Sequence, residues 1–250
     1  MKLLSVIVPF YNEEYFLEKS VNRLVYELEM ASIDYEIFLV NDNSSDNSKN
    51  IAQNLCNKNQ NITLVSKQVN QGKGSCIREV NSILESDYTI IHDADLEYFP
   101  KDIVKMYKTM IKNEKSLILG SRVIGDNKRI KKYSYLVYVN VFLAKLFSFL
   151  NNYQVTDIST CYMMMPTKFL NDISIESNSF TIEIELLSKF LKTGNEIIEI
   201  PISYEGRLYS EGKKIRFYDG LKIFFRIILM SKFLSKITFK ASRNISILVL

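Results

Sequence analysis

Apolar and polar positions change period repeatedly along the first half of the chain. Leu3 to Pro9 is a short apolar run, broken only by Ser5, and reads as a buried strand. Between Glu13 and Met30, Leu17, Val21, Leu24, Val25 and Leu28 recur at helical intervals, giving one apolar stripe. Tyr35 to Val40 is a second strand, and Ser45 or Asp46 is placed to cap the next helix. Ile62 to Ser66, Asp87 to Ile91 and Leu117 to Leu119 read as further strands. Gly72 to Leu84 and Pro100 to Asn113 read as helices, the second with proline suited to its first turn. This βαβα order predicts the α/β class, with a mainly parallel sheet carrying helices on both faces.

The second half is less regular. Tyr133 to Leu150 reads as a strongly apolar helix, Cys161 to Met165 as a strand, and Phe180 to Leu191 as a helix with Glu183 and Glu185 near its start. Ile197 to Ser203 is another strand, and Asp219 to about Lys236 a last, basic helix. No stretch reaches the roughly 18 uncharged apolar residues of a spanning helix. The nearest, Tyr133 to Leu150, is interrupted by Lys145. With no internal repeat or low-complexity linker, the expected division is one domain over 1–215 and a basic amphipathic membrane-associating segment over 216–250.

Composition narrows the picture. Of 250 residues, 47% are apolar and 24% charged, enough for a packed core and one sizeable domain. The net charge of +4 is too small to argue for nucleic acid, which is not expected as a partner. Its distribution matters more. No acidic residue follows Asp219, whereas Lys222, Arg226, Lys232, Lys236, Lys240 and Arg243 do. On an ideal helix these six fall within about a 120° arc. They lie beside Ile223, Ile227, Met230 and Leu234, while Phe225, Leu229 and Phe233 intrude on the arc. Such a stripe suits a helix lying on an anionic membrane surface; a solvated helix face has the same pattern. Cys56, Cys76 and Cys161 are odd in number and lack metal-ligand spacing, which fits a reduced setting. The chain enters its first strand without the phases of a signal peptide. The expected location is therefore cytoplasmic, peripheral on the cytoplasmic face of the membrane.

Candidate chemistry collects at the carboxyl ends of the predicted strands, where ligands bind in such sheets. The clusters are Tyr11-Asn12-Glu13, Asn41-Asp42, Asp93 to Asp95, and Ser121-Arg122. Asp93 and Asp95, two residues apart on a loop, can share Mg2+ or Mn2+, and Glu97 adds a further carboxylate. Such a metal neutralises a diphosphate leaving group; an ordinary turn has the same composition. Asp42 is suited to a base or ribose, or to an Asx-turn. Asn70-Gln71-Gly72-Lys73-Gly74 lacks P-loop spacing, yet it can bring Lys73 and backbone N–H groups to phosphate, or form a plain turn. Arg122, Arg129, Lys131 and Lys132 occupy one basic loop, and Arg207, Lys213 and Lys214 another; arginine grips phosphate bidentately, and solvation is the alternative. His92 is the only histidine, which excludes a His-rich metal site and leaves a single residue from which a histidine-based triad could be built.

Taken in order, these strings resemble glycosyltransferase family 2, in particular its dolichyl-phosphate-mannose-synthase-like branch. They are Val8 to Glu13, Val40 to Asp46, Asn70 to Gly74, His92 to Tyr98, Gly120 to Arg122, Thr156 to Tyr162, Phe180 to Glu185, and Pro201 to Arg207. The resemblance covers roughly residues 3 to 230 and implies a GT-A-type nucleotide-diphospho-sugar transferase fold. It also implies inverting transfer from a UDP- or GDP-linked sugar to a polyprenyl phosphate or another cell-envelope glycan or lipid intermediate. Pro9, Tyr11, Glu13 and Asp42 match positions that hold the nucleoside. Asp93 and Asp95 match the metal and diphosphate positions, with Lys73 beside them on the donor side. Arg122 and Arg207 match basic positions for donor or acceptor phosphate. Asp157 and the glutamates of the Phe180 helix match the acceptor side.

Asp157 is thereby the candidate general base for a hydroxyl acceptor, with Asp95 as its catalytic companion; a lipid phosphate needs no base. Asn41 stands where an aspartate is frequent, Glu97 where some members have glutamine, and Met163 where a cation often follows the aromatic residue. The spanning helices that some relatives carry at the C-terminus are not expected. Two rivals remain. A non-catalytic nucleotide-sugar-binding relative is opposed by the presence of both Asp93 and Asp95. A metal-dependent nucleotidyltransferase leaves Gly120 to Arg122 and the Arg207 loop unexplained.

Overall fold

A computed structural model describes residues 2–125, 129–130, 134–207 and 217–231. The alternating first half forms β1 (Leu4–Phe10), α1 (Leu17–Met30), β2 (Tyr35–Asn41), α2 (Ser48–Lys58), β3 (Ile62–Ser66), α3 (Lys73–Asn81), β4 (Tyr88–Ile91), α4 (Lys101–Met110) and β5 (Leu117–Ser121). The second half adds β6 (Arg129–Ile130), α5 (Ser134–Asn151), β7 (Met163–Pro166), α6 (Thr167–Asp172), α7 (Ile182–Lys192), β8 (Ile197–Pro201), β9 (Tyr204–Glu205) and α8 (Phe217–Met230). The main sheet has seven strands in the order β3-β2-β1-β4-β7-β5-β8, and β6 pairs with β9 apart from it. Strands β1 to β4 pair in parallel, as do β5 and β8. Only β7 runs antiparallel, between β4 and β5.

All seven residues of β1 are buried, because helices cover both faces. Leu4, Val6, Val8 and Phe10 join the core layer of α1, α2 and α4, while Ile7 joins the opposite layer of α3, α5 and α7. Helix α8 belongs to that second layer. Its Ile223 and Ile227 are buried there against the cluster containing Leu143, Ala144 and Phe147 of α5. Through Ile223 and Ile227 the described part of the expected C-terminal segment is anchored on the main core. Lys232, Lys236, Lys240 and Arg243 lie outside the described residues. No described helix is long and apolar enough to cross a membrane.

Several boundaries move for identifiable reasons. Helix α1 starts at Leu17 rather than Glu13, because the chain first turns at Asn12, whose φ is 52°. The N-cap of α2 is Asn47 rather than the expected Ser45 or Asp46; Asp46 instead takes the Ser48 N–H on Oδ1 and the Glu14 N–H on Oδ2, tying two loops together.

Candidate active site at the strand ends

The loops after β1 and β2 are fastened to each other. The Asn12 N–H donates to Ser44 Oγ at 3.1 Å, Ser45 N–H donates to Asn12 Oδ1 at 2.9 Å, and Glu13 N–H donates to Ser48 Oγ at 2.8 Å. The Asx-turn in this string belongs to Asn41, whose Oδ1 accepts the Ser44 N–H at 2.9 Å. That leaves the neighbouring Asp42 for another task. Its buried carboxylate accepts Lys67 Nζ at 2.6 Å, Gln71 N–H at 3.0 Å and Gly72 N–H at 2.6 Å. Burial pushes this carboxyl up, but Lys67 and the two amides outweigh it and hold it below the usual range. Lys67, which also donates to Ser75 Oγ, was not anticipated. Its one sequence signal is its position, directly after a strand at the same rim as Asp42.

Most amides from Gln71 to Cys76 are used within the fold. Gln71 and Gly72 donate to Asp42, Gly74 donates to Asn178 O at 3.0 Å, and the Ser75 and Cys76 amides return to Gly72 O. Of the two expectations for this string, these bonds match the plain turn for the Gln71, Gly72, Gly74, Ser75 and Cys76 amides. The glycines serve close approach. A Cβ on Gly72 lands 2.5 Å from Asn178 O, and one on Gly74 falls well inside contact distance of Ser177 O. The segment from Ile173 to Thr181 can therefore lie across the start of α3. The Lys73 side chain does reach the cleft, with Nζ 2.8 Å from Asp93 Oδ1 and 2.8 Å from Glu183 Oε1.

Asp93-Ala94-Asp95 follows β4. Asp95 Oδ1 accepts the Glu97 N–H at 3.1 Å, and Oδ2 lies 3.5 Å from Arg207 Nη2. Burial and the charges of Glu97 and Asp93 push the Asp95 carboxyl up to about 7, which Arg207 only partly offsets. Burial also raises Asp93, yet Lys73 outweighs it and holds that carboxyl low. Glu97 is occupied elsewhere: one oxygen accepts the Arg207 N–H at 2.6 Å and the other the Tyr204 hydroxyl. Among the described residues no group of three or more His, Cys, Asp or Glu side chains forms a metal cage. Asp93 and Asp95 nonetheless fit Mg2+ or Mn2+. They are hard oxygen donors in a locus with more carboxylates than cations, and such ions need only one or two protein carboxylates beside phosphate and water.

Arg122 follows β5 and is gripped by Asp157: Nε donates to Oδ2 at 2.7 Å, Nη2 to Oδ1 at 2.9 Å, and the Arg122 amide to Oδ2 at 3.0 Å. Asn140 adds a bond to Oδ1 at 3.0 Å. The guanidinium lies 4.9 Å from the Tyr204 ring centroid and donates to the Tyr98 hydroxyl at 3.2 Å. Asp157 is 0% exposed and does not line the cleft. Burial raises its carboxyl, but Arg122 outweighs it and keeps the group ionised. Both oxygens of Asp157 are thus committed within the fold, a geometry that suits holding Arg122 better than the general-base role expected for it. Arg207 completes the opposite wall, 3.4 Å from Glu13 Oε2 and 4.9 Å from the Phe16 ring centroid.

One cleft thus brings together Pro9, Tyr11, Glu13, Asp42, Lys73, Asp93, Asp95, Arg122 and Arg207. It also gathers Glu183, one of the two glutamates expected on the acceptor side, together with Tyr98, Tyr204 and Cys161, whose roles the sequence did not single out, and Asp219 and Ile223 from α8. Glu183 Oε2 is buried and has no hydrogen-bond partner. His92 stays outside the cleft, bonded to Ser20 and Tyr162, and burial lowers it to about 4. The side chains of Arg129, Lys131, Lys132, Lys213 and Lys214 lie outside the described residues.

A family model described as glycosyl transferase family 2 matches residues 5–174. A UDP-N-acetylglucosamine–dolichyl-phosphate N-acetylglucosaminyltransferase of Methanococcus voltae is 27% identical over 248 residues, covering 92% of this chain and 96% of that protein. A dolichol-phosphate mannosyltransferase of Pyrococcus furiosus is 24% identical over 212 residues; the match covers 84% of this chain but only 58% of that longer protein. Among solved structures, glucosyl-3-phosphoglycerate synthase of Mycobacterium tuberculosis, in complex with UDP, superposes with a TM-score of 0.69 at 17% identity. It covers 92% of this chain and 80% of its own, a shared fold.

Proposed function

The chain belongs to glycosyl transferase family 2, and from that membership we propose that its cleft moves a sugar from a UDP- or GDP-linked donor to a polyprenyl phosphate, with inversion at the anomeric carbon. The observation that carries this reading is the Asp93–Asp95 pair, in a locus with more carboxylates than cations, with Lys73 and Arg207 on its flanks and Arg122 on the same cleft. That arrangement suits two phosphate-bearing substrates meeting at one point. The Methanococcus voltae and Pyrococcus furiosus relatives are named for transfer to dolichyl phosphate, which supports a lipid-phosphate acceptor.

In this reading Pro9, Tyr11, Glu13 and Asp42 hold the nucleoside, and Arg207 and Lys73 stand at the diphosphate. A divalent cation held by Asp93 and Asp95 supplies charge neutralisation to the leaving diphosphate. The Mycobacterium tuberculosis enzyme has been crystallised with Mn2+ and with Mg2+ beside UDP, which supports either ion. Arg122 receives the acceptor phosphate, and Asp157 holds its guanidinium in one orientation. An acceptor phosphate is anionic at neutral pH, so attack needs no base. A cleft in which Asp157 is sealed away is compatible with that. Binding that strengthens as charge moves onto the diphosphate lowers the barrier.

The reading extends to a peripheral site on the cytoplasmic face of an anionic membrane, approached through residues 216–250. It is supported by free Cys56, Cys76 and Cys161 and by the cations after Asp219. A thermal-shift panel of UDP- and GDP-sugars with Mn2+ tests the donor side. At a hundredfold excess over Kd, the matching donor stabilises by about 2.7 kcal/mol, which raises Tm by roughly 5–10 °C. Failure of every nucleotide-sugar to shift Tm sinks the reading.

A further inference from the structure

Helices α5 and α8 lie side by side on the core, and each leaves an apolar stripe outside. On α5, Tyr138 (74% exposed), Phe142 (61%) and Phe149 (82%) share one face with Lys145 at helical spacing. On α8, Leu221, Phe225 and Leu229 are exposed beside Lys222. The buried faces of both helices meet the same core layer through Leu143, Phe147, Ile223 and Ile227, so both stripes look outward. The two helices approach each other at Gly220, where a Cβ lands 3.9 Å from the Val139 side chain. Soluble proteins seldom leave aromatic and aliphatic side chains this exposed along two neighbouring helices without a use for them.

We infer that α5 and α8 together form an in-plane docking surface for an anionic lipid bilayer, with α5 supplying much of the apolar contact. The inference deepens the lipid-acceptor reading above and rests on it. Charge decides in favour of this occupant: exposed Lys145 stands within the α5 stripe and exposed Lys222 beside the α8 stripe, and beyond Asp219 the sequence has no Asp or Glu. Neither helix is long and apolar enough to cross, so the contact is interfacial.

The surface is fixed relative to the cleft. Asp219 and Ile223 line the cleft from α8. Arg226 of the same helix turns inward and donates to Glu185 Oε2 at 2.9 Å, with Glu176 Oε2 at 3.4 Å. Glu185 in turn accepts the Glu176 and Ser177 amides at 2.9 and 2.7 Å, holding the segment that leads to the cleft residues Ser179 and Phe180. A bilayer meeting the two stripes therefore meets a surface that is continuous with one cleft wall.

The test is flotation of the full chain with vesicles of phosphatidylcholine alone or with phosphatidylglycerol added, comparing wild type with Phe142→Ser/Phe149→Ser. Both residues are exposed and outside the cleft, and an unchanged Tm shows that the variant is folded. The expected result is binding to the anionic vesicles that is weakened about tenfold by the double variant although the basic C-terminal segment is intact. Transfer to a vesicle-embedded acceptor falls in parallel, while transfer to a short, water-soluble prenyl phosphate is unchanged. Equal vesicle binding by wild type and variant overturns the docking surface, as does a dimer in solution that the variant dissociates. Variant-sensitive vesicle binding without transfer to any prenyl phosphate overturns the acceptor reading and leaves the docking surface standing.

Discussion

Asp157 and Arg122 form a buried pair with three hydrogen bonds between them. Asparagine in place of Asp157 leaves the guanidinium buried without its countercharge, a change that costs about 3 kcal/mol or more when one partner of such a pair is removed. Asp157→Asn is expected to lower the urea-unfolding free energy by that amount and to slow transfer, while the acid limb of the kcat/KM pH profile stays where it was. Movement of that limb would restore the general-base role. The rim residues were legible in sequence because polar clusters follow apolar runs, and a parallel sheet brings such ends together. Asp157 was legible as part of the site but not in its role, since pairing with a residue 35 positions away leaves no local pattern. Lys67 and Tyr204 were missed for a related reason. Each is a single side chain whose partner, Asp42 or Glu97, is distant in the chain.

At the scale of elements, the segment from Ile173 to Thr181 depends on two devices. The first is the absence of side chains at Gly72 and Gly74. Gly74→Ala is expected to destabilise by about 3 kcal/mol, because backbone at Ser177 must move, and chemical denaturation reads this directly. The second is Glu185. Burial raises its carboxyl, but bonds from Lys189 and the Ser177 and Glu176 amides outweigh it and bring the group from 4.5 to about 2. A depressed carboxyl contributes stability that is fully present above its unfolded value and lost as pH falls through the folded one. Between 4.5 and about 2 the wild type should lose roughly 3 kcal/mol through this group, and Glu185→Gln should flatten the urea-measured curve across that window. An equally steep curve in the variant would remove Glu185 from the account. Long periodic elements such as α1 and α7 were visible in the sequence. The two-residue strands β6 and β9 are too short for any period, and the antiparallel sense of β7 is set by pairing, which alternation does not encode.

For the whole molecule, a sheet with helices on both faces gathers one rim, and that rim holds carboxylates and cations in alternation around a single cleft. The fold class was readable from the order of periods. That α8 shares the core was not, because its basic stripe drew attention to its outer face while Ile223 and Ile227 anchor its inner one. The sugar, the nucleotide and the acceptor act together only in the full transfer reaction. The most direct measurement follows a radiolabelled sugar from UDP- or GDP-linked donors into the organic phase with polyprenyl phosphate and Mn2+, using wild type and Asp95→Asn. The expected result is acceptor-dependent transfer that EDTA abolishes and that the variant lowers by at least about 100-fold. Transfer that persists equally in EDTA and in Asp95→Asn, or no transfer from any donor, would contradict the account.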